Sequence, residues 1–238
     1  MDVSDGQDRI TAFWDAVAPG YETPDNVAAP ATAEYANWVG ALRSVLPAAP
    51  ARILDVGTGT GFAAGIAAEL GHQVTATDLS EGMLEASAKR HRGPAITFAV
   101  DDAVDPSFPA ESFDVVLSRS LLWTLREPGK AFRNWYELLS PGGRVVAIYG
   151  LSPAGSVPPP DTDDTGPEPN LFERHYTPGT QAVLPAMHLS DHESLRQMAD
   201  AAGFRDVGVT PLEMVRGWET SPGSDLPYAL VGYRPASR

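Results

Sequence analysis

The chain has 238 residues, 43 % hydrophobic and 20 % charged, which suits one α/β domain with a sizeable buried core. It contains no cysteine, so disulfides, thiolate metal ligands and a cysteine nucleophile are excluded. Its net charge of −14 disfavours a nucleic-acid substrate, because phosphate binding depends on lysine and arginine. The polar, acidic first residues and the short apolar runs predict a cytoplasmic protein without a membrane span.

Two amphipathic helices are predicted before the main fold. Hydrophobic side chains recur at helical spacing over residues 5–18 and again over residues 31–46. A proline-containing run from Pro47 to Pro50 ends the second helix. We therefore expect residues 1–47 to form a helical cap within a single domain that spans residues 1–238.

Strands and helices then alternate along the chain. The predicted strands are Arg52–Val56, Gln73–Thr77, Ile96–Val100, Phe113–Leu117 and Arg144–Tyr149. The predicted helices run from about Thr60 to Leu70, from an N-cap at Ser80 to about His91, and over Glu127–Leu139, with a turn at Ser140–Gly143. This rhythm predicts a Rossmann-like α/β fold, with a mostly parallel sheet and helices on both faces. Ligands in such sheets bind beyond the carboxyl ends of the strands.

A proline-rich insert over residues 151–188 follows the fifth strand. It is too long for a simple connection, so we expect a lid or a mobile loop on the substrate side. The run from Ser190 to Glu193 matches a capping box and predicts a helix that ends at Gly203. Two short strands, Asp206–Thr210 and Tyr228–Tyr233, bring the sheet to seven strands, with an antiparallel strand at the C-terminal end.

A glycine-rich loop, from Asp55 through Thr58 to Gly61, lies between the first predicted strand and its helix. Its glycines permit positive φ and a close approach of the backbone to a ligand. Asp78 follows the next strand, where a carboxylate can accept hydrogen bonds from both hydroxyls of a ribose. Asp78 as a simple helix cap is the alternative interpretation.

The loop alone fits more than one cofactor. The dinucleotide fingerprint Gly-x-Gly-x-x-Gly, counted from Gly57, requires glycine at position 62, which is Phe62. Asp55 would repel a pyrophosphate, whereas it suits a cofactor that carries an ammonium and a sulfonium. The residues favour S-adenosylmethionine, while a nucleotide-cofactor oxidoreductase stays open as the alternative.

At this point the chain resembles the class I S-adenosylmethionine-dependent methyltransferases, in particular the small-molecule enzymes that share Asp-x-Gly-x-Gly-x-Gly. Further motifs follow in the family's order, at Asp102-Ala103, Phe108–Asp114 and Leu139–Gly143. The segment Phe13–Tyr21 is similar to one whose tyrosine, here Tyr21, often closes over the cofactor. Tyr21 as ordinary hydrophobic surface is the alternative. The resemblance implies metal-independent methyl transfer to an O, N or C nucleophile.

The resemblance also implies which residues bind the methionine and ribose parts of S-adenosylmethionine. Gly57 and Gly59 would line the methionine part, in the loop that also holds Asp55 and Thr58. Asp78 would bind the ribose.

The other implied contacts lie around the adenine and the methyl group. Leu79 and Met83 would flank the adenine, Asp102 would accept its amino group, and Ala103 would offer a backbone N–H. Asp102 could exchange roles with the neighbouring Asp101, and Met83 is also expected in the helix core. Ser118 would lie near the methyl and carboxylate end.

The acceptor side shows no clear general base. Related enzymes often have histidine where this chain has Ser120. His175 and His188 fall in the insert, and His175 is the candidate catalytic base, with a solvated loop histidine as the alternative. The missing base also keeps open a non-catalytic protein that binds S-adenosylmethionine.

Several aromatic side chains could wall an apolar substrate pocket: Trp14, Tyr21, Trp123, Phe172 and Tyr176.

No metal site is expected. The run Asp161–Gly166 resembles the start of a calcium loop, but its twelfth position is Phe172 instead of glutamate. The expected partner is a small-molecule acceptor, with no nucleic acid and no membrane, and the protein is expected to be a monomer or a homodimer.

Overall fold

The computed structural model describes residues 3–21, 28–151, 170–187, 190–217 and 226–237. The seven strands are β1 (Arg52–Val56), β2 (Gln73–Asp78), β3 (Ile96–Val100), β4 (Phe113–Arg119), β5 (Leu139–Tyr149), β6 (Arg205–Pro211) and β7 (Tyr228–Tyr233). The helices are α1 (Val3–Val17), α2 (Ala33–Val45), α3 (Phe62–Glu69), α4 (Glu81–Arg90), α5 (Pro128–Leu138), α6 (Leu171–His175), α7 (Pro178–Gln181) and α8 (Glu193–Ala202). Among these residues, no helix is long and apolar enough to cross a membrane.

All seven strands form one sheet, in the order β3-β2-β1-β4-β5-β7-β6. The first five strands are parallel, and β7 runs antiparallel to both of its neighbours. Four of the five residues of β1 are buried, as expected for a parallel strand covered on both faces. The structure thus confirms the predicted Rossmann-like fold.

Helices cover the two faces of the sheet and form two cores. On one face, α2 and α3 pack around Trp38 and Phe62, which contact each other edge to face. On the other face, α5 and α8 pack around Trp135 and Phe204. The indole Nε1 of Trp135 donates a hydrogen bond to the Ala103 carbonyl over 2.8 Å. This bond ties α5 to the loop after β3, which borders the cavity described below.

Local predictions failed at two places. The predicted turn Ser140–Gly143 is part of β5, since Phe113 pairs with Leu139 before the register shifts. The predicted capping box at Ser190–Glu193 is also wrong. The Ser194 backbone N–H donates to Asp191 Oδ1 over 2.9 Å, and α8 has no side-chain cap at its N-cap residue.

The N-terminal helix packs against the described part of the insert and against α4. Phe13 of α1 contacts Phe172 and Tyr176. Asp15 Oδ1 accepts hydrogen bonds from the Ser80 hydroxyl over 2.6 Å and from the Gly82 backbone N–H over 3.1 Å. Residues 152–169 and His188, which the lid prediction includes, lie outside the described residues.

Candidate active site

An open cavity lies at the carboxyl ends of β1, β2, β3 and β4. Helix α1 contributes Trp14 to its wall, and the glycine-rich loop after β1 contributes another part of the wall. Open parallel sheets bind their ligands at this edge. The cavity is therefore the candidate active site.

Most of the residues predicted to bind the cofactor line this one cavity. They are Tyr21, Asp55, Gly57, Thr58, Gly59, Asp78, Leu79, Met83, Asp102 and Ala103. Their individual contacts to a cofactor stay predictions.

Two predicted residues lie elsewhere. Ser118 is buried inside β4, which runs on to Arg119 instead of ending at Leu117, and its hydroxyl finds no hydrogen-bond partner in the described residues. His175 lies at the end of α6, where its Nδ1 bonds to the Arg9 carbonyl over 3.0 Å. Neither side chain lines the cavity.

The glycine-rich loop holds a buried acid and a space for a ligand. Thr58 Oγ1 donates to Asp55 Oδ2 over 2.6 Å, and φ is +61° at Gly57 and +56° at Gly59. A Cβ at Gly57 would lie 2.4 Å from Leu121 Cδ1, whereas a Cβ at Gly59 would meet no atom within 4 Å. Gly57 therefore permits close packing, and Gly59 faces open space.

Asp78 joins the loop to the next strand. Its Oδ2 accepts from the Gly59 backbone N–H over 2.9 Å, and its Oδ1 accepts from the Ser80 backbone N–H over 2.9 Å. Each carboxylate oxygen keeps a second lone pair, which a ribose hydroxyl can use. The N-cap of α4 is Ser80, whose hydroxyl accepts from the Met83 N–H, so Asp78 is not the capping residue.

Burial raises the pKa of both acids. The pKa of Asp55 rises to about 7 because the carboxyl is desolvated, although the Thr58 hydrogen bond and the Arg119 charge oppose the shift. Desolvation also raises the pKa of Asp78, against the hydrogen bonds from Ser80 and Gly59. A cationic or hydroxyl-bearing ligand would recover part of this desolvation cost.

The unliganded protein is expected to lose stability as the pH rises toward neutrality. The folded chain retains the Asp55 proton at pH values where the unfolded chain, with a pKa of 3.8, has lost it. This stabilisation is complete below the unfolded pKa and is lost as the pH rises through about 7, and Asp78 acts in the same direction. The melting temperature of Asp55→Asn should therefore fall less steeply than that of the wild type between about pH 5 and about pH 8. Parallel melting curves would contradict this assignment.

Asp102 is engaged at the adenine end of the predicted site. Its carboxylate forms an ion pair with Arg126 and accepts from the Val104 N–H over 2.8 Å. Arg126 also donates to Gln7 Oε1 of α1 over 2.6 Å. The neighbouring Asp101 accepts from Ser107. Asp102 thus connects the loop after β3 to α1, in addition to its predicted role.

The sequence reasoning assigned no binding role to the residues at the end of β4 and directly after it. Arg119, Ser120, Leu121, Thr124 and Leu125 line the cavity, and φ at Ser120 is +56°. One signal for Arg119 was available, since a charged residue directly ends an apolar run.

Aromatic side chains back the wall that α1 forms. Trp14 lines the cavity, and its ring lies 5.8 Å from Tyr21 and 6.1 Å from Trp123 between ring centroids. The Tyr176 hydroxyl and Thr124 Oγ1 are hydrogen-bonded over 2.9 Å. Phe172 stacks on Tyr176 at 4.4 Å. This part of the wall is apolar and aromatic.

Known proteins share this sequence pattern and fold. Residues 54–147 match a family described as a methyltransferase domain. The demethylmenaquinone methyltransferase of Clavibacter sepedonicus is 35 % identical over 227 residues, covering 87 % of this chain and 86 % of the relative. The demethylmenaquinone methyltransferase of Renibacterium salmoninarum is 34 % identical and covers 95 % of this chain and 86 % of the relative. The structure of Haemonchus contortus phosphoethanolamine N-methyltransferase 2 with phosphomonomethylethanolamine and S-adenosylhomocysteine is similar, with a TM-score of 0.60, 20 % identity, and coverage of 94 % of this chain and 60 % of that one.

The chain therefore belongs to the class I S-adenosylmethionine-dependent methyltransferases. It is an enzyme that methylates small molecules with S-adenosylmethionine as the cofactor. This result decides against the oxidoreductase and the non-catalytic binding protein. The open space at Gly59 and the unshared lone pairs of Asp78 fit this cofactor.

Proposed function

We propose that the enzyme methylates an apolar, aromatic acceptor related to demethylmenaquinone, the molecule named for its relatives. The observation that carries this proposal is the aromatic wall formed by Trp14 and backed by Trp123 and Tyr176. Aromatic side chains stack favourably against flat rings. Ile10, Leu121 and Leu125 extend the apolar lining.

The charges in the cavity favour this acceptor over phosphoethanolamine, the substrate named for other relatives. A phosphate would require cationic partners. Among the described lining residues, Arg119 is the one cation, and it lies beside the glycine-rich loop, over the Phe62 ring. The aromatic wall offers no cation to a phosphate.

The cofactor supplies an electrophilic methyl group, and the residues of this chain orient the acceptor toward it. A quinone carbon is electron-poor, so the acceptor has to be the reduced, dihydroxy form of the ring. Trp14 would hold the ring, and α1 would exclude water from the cavity. The insert as a lid and metal independence belong to this proposal, as do the cytoplasmic location and the monomeric or homodimeric state, which rest on the sequence reasoning alone. His175, which does not line the cavity, is not part of it.

The test offers purified protein S-adenosylmethionine with either a reduced demethylnaphthoquinone or phosphoethanolamine and follows the products by mass spectrometry. We expect a methylated ring and no methylated amine. Trp14→Ala should raise the KM for the ring acceptor by about 5- to 10-fold, because an aromatic contact is lost. Trp123→Ala removes a neighbouring indole that does not line the cavity, so its KM should change less. Methylation of phosphoethanolamine alone would contradict the proposal.

A further inference from the structure

Arg119 lines the cavity, and none of the described carboxylates forms an ion pair with it. It closes β4, and its side chain is partly buried, which lowers its pKa. The Cζ atom lies 4.7 Å from the centroid of the Phe62 ring and 5.4 Å from that of Trp38. In the described part of the chain, no oxygen accepts a hydrogen bond from this guanidinium and no carboxylate forms an ion pair with it.

A partly buried arginine without an acceptor is costly, because those of its five N–H donors that are buried lose water. Aromatic rings stabilise the positive charge through their π faces, but they do not replace oxygen acceptors for the N–H groups. Asp55 acts on Arg119 through its charge, yet the pKa of Asp55 is about 7, so this carboxyl is only partly ionised at neutral pH. Among the described residues, the N–H donors of Arg119 are thus left without an acceptor, on a side chain that lines the cavity.

The chemistry of the missing partner follows from the guanidinium. Its planar fork matches a carboxylate through two parallel hydrogen bonds. The position selects the source of that carboxylate, since Leu117 of β4 pairs with Asp55 of β1 and both Arg119 and Asp55 line the same cavity. An amino-acid group carries one positive and one negative charge. Arg119 offers the positive charge, and a bound ammonium would favour the ionised, negative form of Asp55.

We infer that Arg119 binds the carboxylate of the methionine moiety of S-adenosylmethionine, while Asp55 faces its ammonium group. This inference rests on the cofactor site described above. Arg119 is then a cofactor-binding residue. It positions the sulfonium by fixing the far end of the amino acid.

The experiment compares two ligands by isothermal calorimetry, S-adenosylhomocysteine and its decarboxylated analogue, which keeps the adenosine, the sulfur and the amine. The wild type should bind S-adenosylhomocysteine about 10- to 100-fold more tightly than the analogue, as a charge-assisted pair implies. Arg119→Met should weaken S-adenosylhomocysteine binding by the same factor and leave analogue binding within about 3-fold. Arg119→Lys keeps the charge but loses the planar fork. Its affinity for S-adenosylhomocysteine should lie between those of the wild type and Arg119→Met.

Two controls separate this role from a structural one. Arg119→Met should change the melting temperature of the unliganded protein little, because no described carboxylate loses an ion-pair partner and methionine can still pack on the Phe62 and Trp38 rings. Arg126 is paired with Asp102, so Arg126→Met should change the affinity for both ligands by one common factor.

Three outcomes would overturn the inference. The first is equal weakening of both ligands by Arg119→Met. The second is unchanged binding of S-adenosylhomocysteine in that variant, which would mean that the guanidinium binds an anionic acceptor substrate and not the cofactor. The third is a wild type that binds neither ligand, which would remove the cofactor site and this role together.

Discussion

Gly59→Ala is expected to abolish tight binding of S-adenosylhomocysteine while the protein remains folded. The new methyl group would enter open space on the cavity side of the glycine-rich loop, since no atom lies within 4 Å of that position. That space is where we expect the methionine part of the cofactor. A clash with a fixed wall costs about 1–3 kcal/mol or more, which corresponds to at least about 10- to 100-fold in affinity. Calorimetry measures the loss directly.

A matched glycine separates this clash from backbone strain. Gly142 has a φ of +83° and also has no atom near its virtual Cβ, but it lies in β5 away from the cavity. Both substitutions carry the strain of a left-handed residue, about 1–2 kcal/mol. Gly142→Ala should therefore lower the melting temperature by the same small amount as Gly59→Ala. It should still bind S-adenosylhomocysteine with the affinity of the wild type. Gly57→Ala would instead clash with Leu121 and destabilise the unliganded protein. Wild-type affinity in Gly59→Ala would place the cofactor elsewhere.

Asp78→Asn is expected to weaken S-adenosylhomocysteine binding by about 10- to 100-fold, because hydrogen bonds to a charged acceptor contribute about 1.5–3 kcal/mol. The two carboxylate oxygens of Asp78 already accept from Gly59 and Ser80. An amide would turn one acceptor into a donor, so that a ribose would retain only one of its two partners. Binding is followed by calorimetry, and folding by the melting temperature of the unliganded protein.

Asp105→Asn is the control for the loss of one negative charge. Asp105 forms an exposed ion pair with Lys130 outside the cavity, so its removal should leave the affinity unchanged. Equal effects of the two substitutions would show that net charge, and not the ribose contact, decides the affinity.

Much of the fold followed from local signals. The predicted strands Arg52–Val56, Ile96–Val100 and Tyr228–Tyr233 agree with the structure residue by residue. Apolar runs between turn residues define such strands without reference to distant partners. The end of β4 was mispredicted because it depends on β5. Arg119 pairs with Ile148, and the Ser120 N–H donates to the Ile148 carbonyl over 2.9 Å.

In the candidate site, too, local signals identified some residues, and contacts between distant parts of the chain decided others. The loop residues Gly57 and Gly59 were identified because only glycine tolerates their positive φ beside a ligand. His175 was chosen from its place in the insert, but α6 packs against α1, and its imidazole bonds to the carbonyl of Arg9. No pattern within the insert could show this contact, because its partner lies at the other end of the chain.

The sequence by itself determined the class of fold, the glycine-rich loop and the cofactor. These depend on spacing between neighbours, such as the step from Asp55 to Gly61, and on the position of Asp78 one strand later. Only the tertiary structure decided which side chains face the cavity. It buried Ser118, brought Arg119 to the cavity wall, and placed Trp14 of α1 in the same wall. Burial and pairing depend on contacts with residues that are distant in the chain, so a local sequence pattern does not predict them.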